Sequence, residues 1–234
     1  MNEPFEQRKK RSAEIIKLLK KKYPHAKIVL NFSNNWELLV AVILSAQCTD
    51  KKVNEVTEKL FKKYRTSDDY VKANPKEFEK MIHSTGFYRA KTKNILASAK
   101  IIKDRFGGKI PRTMKELLTL PGVARKTANV VLGNAYGVVE GIAVDTHVRR
   151  LAQRLGLSQN DNPEKIEQDL MRLVPKKDWF KLTYLLIDHG RAVCTAKDPR
   201  CDLCPLNNHC PSAFKFPRFK KDLETASILC GKHQ

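Results

Sequence analysis

The chain has 234 residues, enough for one large domain or two small ones, with ample length for a buried core. Forty-five Lys and Arg stand against 25 Asp and Glu, a formal charge of +20. That far exceeds the net charge of roughly 2 to 8 that solubility asks of a small domain. It favours a polyanionic partner, since each phosphate neutralised also releases condensed counterions. The basic residues are spread along the chain and no single basic amphipathic helix gathers them, which favours nucleic acid over a membrane surface.

The opening stretch "MNEPFEQRKKRS" has no apolar core, so no secretory signal is expected there, and a cytoplasmic location follows. A first helix is predicted near 10–23, with Ile15, Ile16, Leu18 and Leu19 on one face. The next, near 35–47, is apolar almost all round and should be central. Its core, "LLVAVIL", is far too short to span a bilayer. Asp50 is a candidate N-cap for a helix near 51–64, and Asn74-Pro75 opens another by cap-then-proline logic. A long helix near 89–105 stops at Gly107-Gly108, and Thr113 to Glu116 reads as a capping box for a short helix ending at Leu120. Helices follow near 124–135, 146–155, 163–173 and 178–189. Beyond Gly190 lie a Cys- and Pro-rich loop and a basic tail. No stretch of strict alternation is long enough for a strand, so the class is all-α. Composition alone marks no domain boundary.

Six cysteines in a chain expected to be reduced do not form a disulfide framework. Four of them, Cys194, Cys201, Cys204 and Cys210, fall within "CTAKDPRCDLCPLNNHC". Four thiolates in one short loop can enclose a tetrahedral ion or a cubane cluster. Zinc sites usually show two short Cys-x2-Cys knuckles and this loop has one, so the uneven spacing favours iron–sulfur over zinc. His209 is a poor additional ligand beside four thiols. Cys48 and Cys230 stand apart as ordinary thiols.

The stretch "LPGVARKTANVV" sets a Pro-Gly turn between two helices, a helix–hairpin–helix. Backbone N–H groups at the start of the second helix are then available to a phosphate oxygen, without reading any base. Lys126 sits on that helix's first turn beside Arg125, and both the helix terminus and the neighbouring cation disfavour its protonated form. A neutral amine is a nucleophile. Nineteen residues on, "GIAVDTHVRR" leads an apolar run into Asp145, which can cap the next helix and still offer a second carboxylate oxygen. A surface lysine and a plain N-cap are the ordinary readings of these two residues taken singly. Their combination with a four-cysteine loop in one basic chain is much rarer.

In these motifs, from "WELLVAVILSAQCTD" through "STGFYRAKTKNI", "LPGVARKTANVVLGNAYG" and "AVDTHVRR" to "DHGRAVCTAKDPRCDLCPLNNHC", the chain resembles the endonuclease III family of DNA glycosylases. The resemblance covers nearly the whole sequence. It implies two all-α lobes with DNA across the cleft between them. One is a six-helix barrel near 28–137 with its helix–hairpin–helix near 113–135. The other joins residues 1–27 to 138–234 and carries a 4Fe-4S cluster on Cys194, Cys201, Cys204 and Cys210, in the loop 194–210. It further implies Lys126 as nucleophile, Asp145 as essential carboxylate, and Gln47 and Phe87 as residues inserted into the duplex. Leu120, Gly122, Ala124 and Arg125 in the hairpin, and Lys197 and Arg200 in the cysteine loop, would contact DNA. The partner would be double-stranded DNA holding damaged pyrimidines or abasic sites, met by a monomer.

Three departures accompany the resemblance. Phe87 stands where the family more often has leucine, Ala124 replaces the usual second hairpin glycine, and the interval from Lys126 to Asp145 is one residue longer. A core ring is the competing reading of Phe87. An adenine-removing mismatch glycosylase would place a glutamate in "VAVILSAQ", which has no carboxylate, and would lack Lys126, as would a thymine-mismatch glycosylase. A non-catalytic iron–sulfur protein would have no use for Lys126 and Asp145 together.

Overall fold

The computed structural model describes residues 3–217 and 219; Cys230 and the rest of the tail lie outside them. The described residues form helices, 3-10 turns and loops, with no strand. By their contacts they fall into two compact units: Ile28–Ala143, and Met1–Lys27 joined to Val144–Gln234. The second boundary lies six residues beyond the expected one, so the loop after "NAYG" belongs with the 28–143 unit.

The 28–143 unit is organised around the helix α2, Asn35–Leu44, in which nine of ten residues are buried. Asn34 caps it by accepting the Glu37 N–H, and the otherwise awkwardly buried Glu37 accepts the Ser33 N–H at 2.6 Å. Around it stand α3 (Asp50–Lys63), α4 (Ser67–Val71), α5 (Pro75–Ile82), α6 (Tyr88–Phe106), α7 (Met114–Leu117) and α8 (Arg125–Tyr136). Leu38, Leu39, Leu44, Leu60, Ile82, Ile95 and Leu117 are fully buried, each removing roughly 1.5–3 kcal/mol of apolar hydration. An aromatic cluster joins four segments: Trp36 meets Tyr70 edge-on at 4.9 Å, and Tyr64, Tyr70 and Phe78 pack at 5.3–5.7 Å. Such pairs add about 0.5–1.5 kcal/mol beyond the area they bury.

The other unit contains α1 (Phe5–Lys22), α9 (Thr146–Arg154), α10 (Pro163–Leu173) and α11 (Trp179–Ala192), followed by the cysteine loop. Helix α1 buries Ile15, Ile16 and Leu19, and is fixed to α11 and its approach by the Lys20–Asp178 ion pair and by Lys181 donating to the Pro24 and Ala26 carbonyls.

Several helix ends differ from expectation for local reasons. Helix α3 is capped by Thr49, whose hydroxyl accepts the Lys52 N–H, and Asp50 is its first helical residue. Thr113 does cap α7, but Glu116 accepts a bond from the Thr113 hydroxyl at 2.7 Å, so the box lacks its reciprocal bond to backbone. A full capping box appears instead at Thr66 and Asp69, opening α4, a helix too short to leave a readable period. Helix α2 stops at Leu44, before the predicted 47: the Ala46 N–H donates to the Ile43 carbonyl in a tighter turn, and Gln47 then adopts a left-handed backbone with φ 53°.

Candidate functional site

In the 28–143 unit, the hairpin follows α7 through Thr119 to Val123. Its Val123 N–H donates to the Leu120 carbonyl at 3.1 Å, and Ser98 of α6 donates its hydroxyl to the Pro121 carbonyl at 3.0 Å. Gly122 has φ +79°, and a Cβ there would stand 2.8 Å from the Asn94 amide nitrogen, so the turn admits only glycine on both counts. Gly122 and Ala124 are exposed, and no side chain caps the start of α8. The turn therefore presents backbone at a helix start whose first N–H groups have no partner within the helix. Leu120 is a different matter. Its side chain is 2% exposed and belongs to the core, so any contact it makes with DNA runs through its backbone.

Arg125 and Lys126 occupy the first turn of α8, each half-buried, ahead of the buried Ala128, Val131 and Leu132 that anchor the helix. Lys126 is held by that anchor at the rim of the turn.

Two further residues of this unit share an unusual backbone. Gln47 (φ 53°) and Phe87 (φ 48°) are both non-glycine, left-handed and exposed. Phe87 is 63% exposed, which excludes the core-ring reading. Gly86, with φ 70° and ψ 158°, turns the chain into it from the 3-10 turn His83–Thr85. Left-handed backbone is rare for residues bearing a Cβ and persists where the surrounding structure enforces it.

In the other unit, Asp145 caps α9: its Oδ1 accepts the Val148 N–H at 2.8 Å, and the cap uses only this one of its two oxygens. The four cysteines line one pocket together with Leu151, Leu155, Val193, Pro199, Ala213 and Phe216. Among the described residues no three His, Cys, Asp or Glu side chains converge as they would on a single ion. Four thiols lining one pocket can hold a metal centre, a cubane cluster included. Hydrogen bonds to sulfur point the same way. Arg154 Nη1 reaches Cys194 Sγ at 3.3 Å, and the Leu206 N–H reaches Cys204 Sγ at 3.4 Å, as thiolate ligands would require. Burial pushes the Cys204 thiol up to about 11 and that of Cys210 also upward. A thiol so placed gives up its proton only beside a compensating positive charge, such as a bound metal would supply.

Arginines stitch this loop to its unit, and sequence inspection missed them. Arg154 also donates to the Thr195 and Ala196 carbonyls and lies over the Phe216 ring at 4.6 Å. Arg150 donates to the Gly190 and Cys194 carbonyls, and Arg11 of α1 to those of Leu155 and His209. The only sequence signal was the spacing of Arg150 and Arg154, four apart and so on one face of α9; the forty residues between Arg154 and Cys194 hid the connection to the loop. Arg200 is exposed, yet its Nη2 holds the Ala192 carbonyl at 2.8 Å; Lys197 is exposed and His209 adjoins the loop without lining the pocket.

Comparison with known proteins gives matches to both regions of the chain. Residues 40–176 match the HhH-GPD superfamily of base excision DNA repair proteins, and residues 194–210 match the iron–sulfur binding domain of endonuclease III. Endonuclease III of Synechocystis is 52% identical over 206 residues, covering 88% of this chain and 94% of its own. That of Escherichia coli is 38% identical, covering 86% and 95%. A solved non-covalent endonuclease III–DNA complex superposes with a TM-score of 0.85 at 43% identity, over 88% of this chain and 97% of that one. A trapped endonuclease III–DNA covalent intermediate matches equally well. A thermostable thymine-DNA glycosylase, 23% identical with a TM-score of 0.78, shares the fold.

Proposed function

The chain belongs to the endonuclease III family of helix–hairpin–helix base excision DNA repair proteins, and from that premise we propose how it acts on DNA as a glycosylase and abasic-site lyase. The substrate is duplex DNA with a damaged pyrimidine or an abasic site. The damaged nucleotide leaves the stack, because its C1′ is out of reach inside it. Gln47 and Phe87 enter the vacated space, an exposed polar hydrogen-bonding group beside an exposed ring. The exposed hairpin backbone at Gly122 and Ala124 takes a phosphate, with Arg125 adding charge.

The Lys126 amine then attacks C1′, and the bond to the base breaks with its electron pair leaving on the base. Asp145 stabilises the positive charge that develops on the sugar, using the oxygen outside its cap. The attacking nitrogen gives up one proton, and its lone pair then opens the sugar ring as O4′ leaves and takes up a proton, which gives a protonated Schiff base. Removal of a C2′ proton expels the 3′ phosphate by β-elimination, and water releases Lys126 unchanged. The cysteines Cys194, Cys201, Cys204 and Cys210 hold a 4Fe-4S cluster, which when bound cross-links the loop that presents Lys197 and Arg200 to phosphates.

The observation that carries the assignment is the place of Lys126, on the first turn of α8 directly behind the phosphate-binding turn. Borohydride reduction tests it. The wild-type protein becomes covalently joined to abasic-site DNA, whereas Lys126→Ala loses trapping and strand cleavage by about 10³-fold or more. Efficient trapping by Lys126→Ala would move the nucleophile elsewhere.

A further inference from the structure

Lys91 of α6 is 4% exposed, in a unit where basic residues otherwise serve the surface. Its ammonium donates to the Leu44 carbonyl at 2.8 Å and to the Thr85 carbonyl at 2.7 Å. Among the described residues no carboxylate pairs with it, and burial lowers its pKa. Lysine is almost never fully buried unless paired, because an ammonium loses its hydration there. Replacing such a buried charge by an apolar side chain of similar length is often neutral or stabilising. Stability therefore does not account for this lysine.

Its two partners do. Leu44 is the last residue of α2, and its carbonyl is one of those a helix C-terminus leaves without a helical partner. Three residues later comes Gln47, after a turn closed by Ala46 N–H to the Ile43 carbonyl and Cys48 N–H to the Ser45 carbonyl. Thr85 ends the 3-10 turn, and Phe87 follows it by two residues. One ammonium head thus joins the roots of the two segments that carry the two exposed, left-handed, non-glycine residues described in this unit. The two carbonyl oxygens lie no farther apart than two short hydrogen bonds laid end to end.

We infer that Lys91 is a positioning residue, a strut that sets the Gln47 and Phe87 segments against each other so that both residues enter the duplex as one wedge. The inference rests on the proposed insertion of Gln47 and Phe87. A cation suits both ends of the strut, since it answers the negative end of α2 and offers more donors than any neutral side chain of that reach. An apolar replacement would fill the same space but leave the two carbonyls repelling each other, and the segments would drift apart. A misplacement of about an ångström at such a contact is enough to slow a reaction by orders of magnitude.

The test compares two substrates in the full-length, cluster-loaded protein: an abasic site in a duplex, and the same strand unpaired, where no wedge is needed. Under single turnover with borohydride trapping, Lys91→Met slows the duplex reaction by about ten-fold or more and the single-strand reaction by less than about two-fold. In the Phe87→Ala background the same substitution adds little, because the two act through one element. Equal slowing on both substrates, no slowing on either, or a fully additive effect with Phe87→Ala would overturn the strut. If Gln47→Ala and Phe87→Ala themselves react with duplex at the wild-type rate, the insertion reading fails first and takes the strut with it. If they slow the duplex reaction while Lys91→Met does not, the strut alone fails. Lys91→Leu, which also removes the donors, serves where Lys91→Met does not fold, and Lys91→Gln, which keeps donors, should restore much of the duplex rate; a Lys91→Gln rate as slow as that of Lys91→Met would also overturn the strut.

Discussion

The two units hold their functional residues by different means. In the 28–143 unit the hairpin and the segments of Gln47 and Phe87 hang from a large apolar core, with α2 buried along almost its whole length. In the other unit the cysteine loop adds to its apolar contacts a set of arginines that reach backbone carbonyls, Arg154, Arg150 and Arg11 among them. The first arrangement is complete once the core has formed. The second also brings four thiols to one pocket, where a bound iron–sulfur cluster would add cross-links of its own.

The largest effect that can break this contrast comes from a ligand. Cys201→Ala should abolish the visible absorption of the cluster. Hydrogen exchange should then show the 194–210 loop losing protection while α2 and α6 keep theirs; comparable loss in both units would mean that the 28–143 unit also depends on the cluster. Next is the converse lesion. Leu39 is fully buried in α2, and Leu39→Ala should lower stability by about 2–5 kcal/mol in denaturant titration, while iron content per folded molecule stays at the wild-type value. The smallest effect lies at α4. Backbone N–H groups of Thr66 and Arg65, with the Thr66 hydroxyl, hold the Asp69 carboxyl below its ordinary 3.8. Its folded-state value is depressed, so the stability it adds is fully present above 3.8 and fades as pH falls through the folded value. Asp69→Asn should therefore cost about 1 kcal/mol near neutral pH, and the difference from wild type should shrink on acidification below 3.8. A difference that grew in acid would refute the role of the ionised cap.

What the sequence disclosed follows the same division. The helices of the core were legible from period and caps, and Asn74 and Asp145 proved to be the caps expected of them. The four cysteines were legible as a cluster of ligands because thiols are scarce. Less was legible where tertiary contacts overrule local preference. Ser45 to Gln47 are competent helix residues, yet the chain turns there. Thr49 and Asp50 are both good caps, and their order along the helix was settled only by geometry. Leu120 was grouped with the hairpin because it adjoins Pro121, although its side chain faces the core. Lys91 lay inside a quoted motif unremarked. Its signal was position: it shares the inward stripe of α6 with Ile95, Ala99 and Ile102, where a lysine is out of place.

The left-handed backbones at Gln47 and Phe87 have a thermal consequence. Each conformation is disfavoured by roughly 1–2 kcal/mol in an L-residue and is maintained by the packing behind it. Warming that merely loosens the packing would let both residues relax to ordinary angles long before the helices melt. On the proposed insertion of Gln47 and Phe87, activity on duplex DNA would then fade at a temperature below the unfolding midpoint.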